Sequence, residues 1–474
     1  MKKLLITVSA LALATPLLAN NSQSTVNQGG TNASATVNQA GSTTRSDSLI
    51  NQAGSLNSAT VTQSGNGSAL KANNSVVTQT AGGSARNKTT VDQTAVAGSA
   101  TNDSEVTQTG TDNETEVDQI GSGNDSSVVQ GGSFGDVKVG QGGTGNVSSV
   151  NQTSVAGTAT TGASADVQQT GSMNESTVQQ VGNDSSVTVT QNDNGNDSQV
   201  SQTGIGSEVI VNQDGNLNVS NVTQLAGGAT VDVIQQGTSN SSGVNQVAVG
   251  SDVNVDQDGT SNVSNVGQSG LNSTIDVEQD GSTNGSLVSQ VGNNAIVDVG
   301  QDGAMNVSNV GQSGNTVFGI TLIGNGSDVK VRQKGMTNTS NVTETSDNST
   351  VDVAQDGLSN GSTVTQNGTV FNGNERQTAY VEQIGDMNVS TVQQNGTLQL
   401  ADVSQTGDGG LSSVIQSGRD HEAFLIQGGV NNDSFITQSG NGGHLATVTQ
   451  MTSNNISNVT QSGNGAQNTA TVTQ

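Results

Sequence analysis

The stretch from Gln257 to Gln290 reads QDGTSNVSNVGQSGLNSTIDVEQDGSTNGSLVSQ and shows the pattern that organises the chain. Its glutamines recur every 11 residues, at Gln257, Gln268, Gln279 and Gln290. A fixed period that continues over most of a chain indicates a repeat architecture. Neighbouring units differ, since one kind reads QDGNLNVSNVTQ and the next QLAGGATVDVIQ. The full repeat therefore has 22 residues in two halves.

The same step recurs along most of the sequence. It is kept in three runs, which are Gln108–Gln152, Gln169–Gln312 and Gln394–Gln438. Nearer the start the spacing is uneven, at 16, 14 and 15 residues between Gln63, Gln79, Gln93 and Gln108. Two later places in the series carry Ile323 and Glu344 instead of glutamine.

Each 11-residue unit has the pattern of a β-strand followed by a turn. An 11-residue period also fits a right-handed helical supercoil, but Gly, Asn, Ser and β-branched residues are poor in helix interiors. Val231, Val233 and Gln235 alternate with other residues, and a period of two is typical of a strand. The Gly that follows most of the glutamines supplies a turn, because Gly tolerates positive φ.

The fold class that follows is all-β, a β-solenoid. Hydrophobic residues make up 29% of the chain, below the roughly 45–50% of globular proteins, so one repeat cannot hide its own face. Stacking of repeats in parallel and in register places equivalent residues about 4.8 Å apart. A buried glutamine amide then bonds the copies above and below. We predict about 19–20 two-stranded coils of 22 residues, each strand-turn-strand-turn.

The ends and the irregular places divide the chain further. Lys2 and Lys3 precede an apolar run, as in a secretory signal peptide. The predicted segments are a signal peptide at 1–19, irregular repeats at 20–107, regular repeats at 108–366 with an insertion near 153–168, an insertion loop at 367–382 and C-terminal repeats at 383–474. The last repeat reads ATVTQ, with Gln474 in a glutamine place, so we expect open strand edges that add subunits end to end.

The repeats resemble those of curlin subunits, which build the curli amyloid fibres of bacterial biofilms. That repeat is an ordered series of Ser, Gln, Gly, Asn, Ala and Gln, and here Ser stands in place of the Ala. The four copies that carry the resemblance, taken as structural ladder residues, are Ser207, Gln213, Gly215, Asn218, Ser220 and Gln224; Ser251, Gln257, Gly259, Asn262, Ser264 and Gln268; Ser273, Gln279, Gly281, Asn284, Ser286 and Gln290; and Ser349, Gln355, Gly357, Asn360, Ser362 and Gln366.

The resemblance implies a secreted structural protein that self-assembles into curli-like functional amyloid fibres. Such pilus-like fibres lie on the cell surface and serve cell adhesion and the biofilm matrix. The implied partners are further copies of the chain, a nucleator subunit and an outer-membrane secretion channel of the curli type. No enzymatic activity and no cofactor is expected. The alternative is a monomeric β-solenoid, such as an adhesin or an ice-binding type of surface protein.

Charge and motif content limit the other classes of function. Without Lys2 and Lys3 the chain has 10 basic and 39 acidic residues, a balance that disfavours nucleic acid. Asp258, Asp280 and Asp302 are 22 residues apart and should stack on one edge and repel each other. An assembly brake, a cation ladder and ordinary solvated turns all remain open for them. The chain has no Cys and only two His residues, so no metal site is expected.

Overall fold

A computed structural model describes residues 22–40, 46–65, 73–81, 86–96, 101–153, 162–313, 316–317, 320–321, 326–368 and 376–474. The predicted signal peptide at 1–19 lies outside these residues, as does Ile323. Strands and turns make up the described part of the chain, and none of it is helical. No helix in these ranges is therefore long and apolar enough to cross a membrane.

The first of two compact units comprises Met1–Gly206. Its strands are β1 (Gln23–Gly29), β2 (Ser34–Ala40), β3 (Asp47–Ala53), β4 (Ser58–Gly65), β5 (Asn74–Ala81), β6 (Lys88–Ala95), β7 (Asp103–Thr111), β8 (Glu114–Ser122), β9 (Asp125–Ser133), β10 (Asp136–Thr144), β11 (Val147–Thr153), β12 (Ser164–Ser172), β13 (Glu175–Val181), β14 (Ser186–Asn194) and β15 (Asp197–Thr203). Odd-numbered strands pair in parallel with one another in one sheet, and even-numbered strands do so in a second sheet.

The second unit comprises Ser207–Gln474. Its strands are β16 (Glu208–Asn216), β17 (Val219–Gln224), β18 (Thr230–Thr238), β19 (Ser241–Gln246), β20 (Asp252–Thr260), β21 (Val263–Gln268), β22 (Thr274–Ser282), β23 (Gly285–Gln290), β24 (Ile296–Ala304), β25 (Val307–Gln312), β26 (Thr316–Val317), β27 (Ile320–Thr321), β28 (Asp328–Met336), β29 (Thr339–Glu344), β30 (Thr350–Leu358), β31 (Gly361–Gly368), β32 (Gln377–Ile384), β33 (Val389–Thr397), β34 (Gln399–Gln405), β35 (Leu411–Arg419), β36 (Glu422–Gln427), β37 (Asp433–Gly440), β38 (Leu445–Gln450), β39 (Ile456–Ser462) and β40 (Thr469–Thr473). The pairing again joins odd strands to odd and even to even in parallel, while β26 and β27 form a short antiparallel pair.

The predicted β-solenoid is confirmed. The described residues form about 18 coils of about 22 residues, stacked in parallel. Each coil has two strands whose side chains alternate between interior and solvent. In β20 the buried and exposed residues alternate from Asp252 to Asp258. Val253 and Val255 point inward and are at most 1% exposed, whereas Asp252 and Asp256 point outward. The sequence alternation is therefore the alternation of a pleated strand with one buried face.

Insertions lie between strands and leave the register intact. The uneven glutamines Gln28, Gln52, Gln79 and Gln108 occupy equivalent places in β1, β3, β5 and β7. Extra residues of the early repeats therefore lie in the connections, where length costs little.

The ladder place predicted for Ile323 lies outside the described residues, but the ladders on either side of it continue directly into each other. Gln301 pairs directly with Gln333, and Gln312 pairs directly with Glu344. These partners are 32 residues apart instead of 22. The segment between β25 and β28 is thus an insertion of ten residues, which an 11-residue count mistakes for one more unit.

The turn after β20 requires glycine. Gly259 has φ of 117°, and a Cβ built on it would lie 1.9 Å from the carbonyl oxygen of Gly281 in the next coil. A side chain cannot fit there without separating the coils. The backbone then passes through Ser261, which is left-handed at φ of 58°, before the chain enters the facing strand.

Candidate functional site: the internal amide ladders

A buried glutamine in each strand connects its coil to the next. The Gln257 side chain is 0% exposed. Its Nε2 donates to Oε1 of Gln279 at 2.7 Å and to the carbonyl oxygen of Ser241, across the coil, at 3.1 Å. Its Oε1 accepts a hydrogen bond from Nε2 of Gln235 at 2.8 Å. One side chain therefore ties together three coils and both walls of its own coil.

The ladder of the even strands in the second unit runs without a change of residue type. Its members are Gln213, Gln235, Gln257, Gln279, Gln301, Gln333, Gln355, Gln383, Gln405, Gln427, Gln450 and Gln474. The Nε2–Oε1 distances lie between 2.7 and 3.0 Å. In every step the earlier residue donates and the later one accepts, so the amides share one direction.

Asparagines form a second ladder at the turn before the odd strands. Asn262 is 0% exposed, and its Oδ1 accepts the backbone N–H of Asn284 at 3.0 Å. Its Nδ2 donates to the carbonyl oxygens of Asp258 at 3.0 Å and Gly281 at 3.2 Å. The amide thus satisfies backbone groups that the turn would otherwise leave without partners.

The serines of the predicted ladder fall into two groups. Ser251 and Ser273 lie at the turn before even strands, where Ser251 Oγ donates to the carbonyl oxygen of Gly270 at 2.8 Å. Ser264 and Ser286 lie inside odd strands and are at most 4% exposed, yet their Oγ atoms have no hydrogen-bond partner in the structure. These strand serines act as small fillers, and so an Ala would serve equally well there.

The structure places the four predicted copies in equivalent positions. Their serines, glutamines and asparagines are at most 4% exposed. Their glycines, Gly215, Gly259, Gly281 and Gly357, have φ between 109° and 133°. Each copy therefore contributes two ladder glutamines, one turn asparagine and one left-handed glycine.

The three aspartates form an exposed row. Asp258, Asp280 and Asp302 are direct register neighbours, and Lys334 follows them in the same row. In the adjacent row the pKa of Asp256 is raised, first by partial desolvation and then by the negative charges around it, beginning with Asp258. Like charges on this face thus oppose one another at neutral pH.

Three basic residues on one strand were missed by the sequence pattern. Lys330, Arg332 and Lys334 all point outward from β28, which lies between acidic strands. Lys330 Nζ lies 2.7 Å from Asp298, and Arg332 lies 2.8 Å from Asp352. Both pairs are solvent-exposed, so they offset repulsion locally and add little stability.

The two histidines lie inside the protein. His421 and His444 are 0% exposed, with ring centroids 5.0 Å apart and planes inclined by 11°. His421 Nδ1 accepts the backbone N–H of His444 at 3.3 Å, and its Nε2 donates to the carbonyl oxygen of Ser417 at 3.1 Å. This bonding fixes the neutral form, and desolvation lowers the pKa of His421. Their spacing of 23 residues, close to one coil, was the available signal.

The ladders described above are hydrogen-bonded structural contacts between successive coils. Among the described ranges there is no group of three His, Cys, Asp or Glu side chains that could hold a metal ion. In the interior, the ladder glutamines and asparagines are hydrogen-bonded to the next coil. Parallel coils joined by internal amide ladders define the class, a β-solenoid repeat protein.

Comparison with protein families identifies the repeat. The family model described as the curlin associated repeat matches residues 161–192, 250–281 and 270–303. The chain thus contains curlin associated repeats at these places, and the resemblance predicted from its sequence is confirmed. The curlin-repeat family is a structural protein family. A comparison with curated proteins gives no match.

Proposed function

We propose that this protein is a secreted structural subunit that self-assembles into curli-like amyloid fibres for cell adhesion and biofilm matrix. The observation that carries the proposal is the state of the outermost described strands. Every residue of β40 is exposed or half-buried, whereas every second residue of its paired neighbour β38 is buried. In the first unit, Val37 of β2 is half-buried, while its register partner Val61 is 0% exposed.

A second copy of the chain offers what these edges need. An exposed edge strand presents a row of backbone donors and acceptors that pairs with another strand. The glutamine ladder favours the same addition. Gln474 accepts a hydrogen bond from Gln450 at 2.8 Å, and a further coil would continue this ladder. Coils added in this way keep the spacing of about 4.8 Å that is typical of cross-β assemblies.

The experiment follows fibre growth by the chain lacking residues 1–19. We expect a lag, seeding by preformed fibres and a diffraction reflection near ~4.8 Å. In Ala470→Lys an inward charge on β40 should block stacking, since the register partner Ala446 is 0% exposed. The matched control Thr471→Lys changes the outward neighbour on the same strand and should keep assembling. Persistent soluble monomer of the unmodified chain would favour a monomeric adhesin or ice-binding protein instead.

Export and regulation complete the proposal. Residues 1–19 would direct secretion, and a curli-type outer-membrane channel and a nucleator subunit would be the partners of assembly at the cell surface. Deletion of residues 1–19 should retain the chain inside the cell, as fractionation would show. We assign the row of Asp258, Asp280 and Asp302 the role of a brake, because every lateral or stacking approach of two such rows costs repulsion.

A further inference from the structure

Glu344 takes a place in the ladder where every other described coil has glutamine. Its register partners are Gln312 on one side and Gln366 on the other. The side chain is 0% exposed. A carboxyl group has the shape of the amide it replaces but, when ionised, it has no hydrogen to donate.

Two register neighbours at this step each have a buried acceptor atom without a donor. In the ladder each amide nitrogen donates to Oε1 of the following coil, as Gln290 does to Gln312 at 3.0 Å. Oε1 of Glu344 accepts the backbone N–H and the hydroxyl of Ser346, at 2.6 and 3.0 Å. Oε2 of Glu344 and Oε1 of Gln366 are both buried and have no partner in the structure. A buried polar atom without a hydrogen-bond partner destabilises a fold, so two of them in neighbouring coils need an explanation.

Turning the amide of Gln366 does not remove the mismatch. Its Nε2 donates to Oε1 of Gln394 at 2.8 Å and to the carbonyl oxygen of Thr350 at 3.2 Å. A turned amide would give up both bonds and set two oxygens against each other one coil later. The ladder direction beyond Gln366 therefore fixes its Oε1 toward Glu344.

We propose that Glu344 is held as the neutral carboxylic acid, with its Oε2–H donating to Oε1 of Gln366. A single proton then replaces the amide hydrogen that the sequence lacks at this step. When the proton is present, this hydrogen bond joins the two coils. When the proton leaves, Glu344 and Gln366 face each other with acceptor oxygens alone, and the contact between the coils is weakened. The coil is therefore sensitive to pH at a place where its neighbours are not.

The surroundings favour the neutral acid. Desolvation is the main cause that raises the pKa of Glu344 to about 8, and Asp347 raises it further. The donor groups of Ser346 and the nearby side chain of Gln312 lower the pKa and are outweighed. Asp347 is the charged neighbour of Glu344. The strands packed against Glu344 turn uncharged residues inward. These residues are Ser308, Val310 and Gln312 of β25, Val329, Val331 and Gln333 of β28, Val351, Val353 and Gln355 of β30, Ser362, Val364 and Gln366 of β31, and Gln377, Ala379, Val381 and Gln383 of β32.

The sign of the pH dependence follows from the raised pKa. The folded coil keeps a proton that the opened coil releases above the ordinary pKa of 4.5. Stability from this joint is therefore complete at low pH and is lost as pH rises toward about 8. With one proton of difference, the equilibrium constant for opening rises about tenfold per pH unit and levels off near the folded pKa, which gives roughly 50-fold from pH 6 to pH 8.

A difference titration of the full chain against Glu344→Gln tests the assignment. Glutamine fits the other steps of the ladder, so the variant should fold. The α-amino group and lysines titrate alike in both chains and cancel. We expect the unmodified chain to release one additional proton with its midpoint above pH 6, and native-state hydrogen exchange to show β29 and β31 losing protection between pH 6 and 8 only when Glu344 is present. The same result is expected for monomer and for fibre.

The opposite result is equally clear. Identical titrations, or an additional proton released below pH 6, would show that Glu344 is ionised in the fold and would overturn the proposal. Should Glu344→Gln fail to fold, the infrared band of a protonated carboxyl in the unmodified chain decides: persistence above pH 6 supports the neutral acid, and absence refutes it.

Discussion

Replacing Gln257 by Ala should destabilise its coil far more than replacing Ser264 by Ala, although both side chains are 0% exposed. The glutamine donates to Oε1 of Gln279 and to the carbonyl oxygen of Ser241, and both lose that donor. At about 1–3 kcal/mol for each unmet acceptor, the expected loss is about 2–6 kcal/mol. The Ser264 hydroxyl has no partner to lose, so its removal should change stability by less than about 0.5 kcal/mol or increase it.

Native-state hydrogen exchange of the β20 amides measures this loss coil by coil, which suits a repeat protein whose units open separately. A loss of about 3 kcal/mol corresponds to a roughly 100-fold larger opening constant. Gln257→Met keeps most of the volume and removes the amide, so it separates lost hydrogen bonds from an empty cavity. Equal exchange in Gln257→Ala and Ser264→Ala, or full protection in Gln257→Met, would refute the amide ladder as the source of stability.

Three further predictions concern the turn, the charged row and the histidines. Gly259→Ala should unfold its turn because the new Cβ meets the Gly281 carbonyl oxygen at 1.9 Å, whereas Gly285→Ala meets no atom within 4 Å and should leave the thermal midpoint unchanged. Changing Asp258, Asp280 and Asp302 to Asn should shorten the lag of fibre growth, and added salt should shorten the lag of the unmodified chain but hardly that of the variant; equal lags at all salt concentrations would exclude a brake. Because the pKa of His421 is lowered in the fold, its contribution to stability is present above the ordinary histidine pKa of 6.5 and is lost as pH falls through the folded value. The hydrogen-exchange protection of β36 should therefore decrease at acid pH, and this decrease should be smaller in His421→Asn. An unchanged pH profile would contradict the buried neutral imidazole.

The sequence was sufficient to predict the solenoid because stacking is a relation between equivalent residues, and a period shows which residues are equivalent. It predicted the strands, the parallel register and the amide ladder from a few glutamines such as Gln257. It was insufficient where a single residue departs from the pattern. The step from Gln312 to Glu344 contains ten extra residues that imitate one more unit, so the pattern assigned Ile323 a place that the register does not have.

The chemistry of individual side chains was also beyond the pattern. Whether Glu344 is charged depends on the dielectric of its surroundings and on the hydrogen-bond direction of the coils beside it, and a period contains neither. The stacked histidines occupy a turn position that carries Gln399 in the coil before them and Asn468 in the coil after them, so the repeat pattern gave no reason to place imidazole rings in the interior. The unpartnered hydroxyl of Ser264 likewise depends on interatomic distances, which only coordinates provide.

The single orientation of the glutamine amides makes the two rims of a unit unlike. Along the ladder each amide oxygen faces the earlier coil and each amide N–H faces the later coil, since each earlier residue donates to the later one. Two rims of the same kind cannot satisfy each other, so subunits of the proposed fibre would have to join head to tail. Such a filament would be polar, with chemically different ends, and its two ends should grow at different rates.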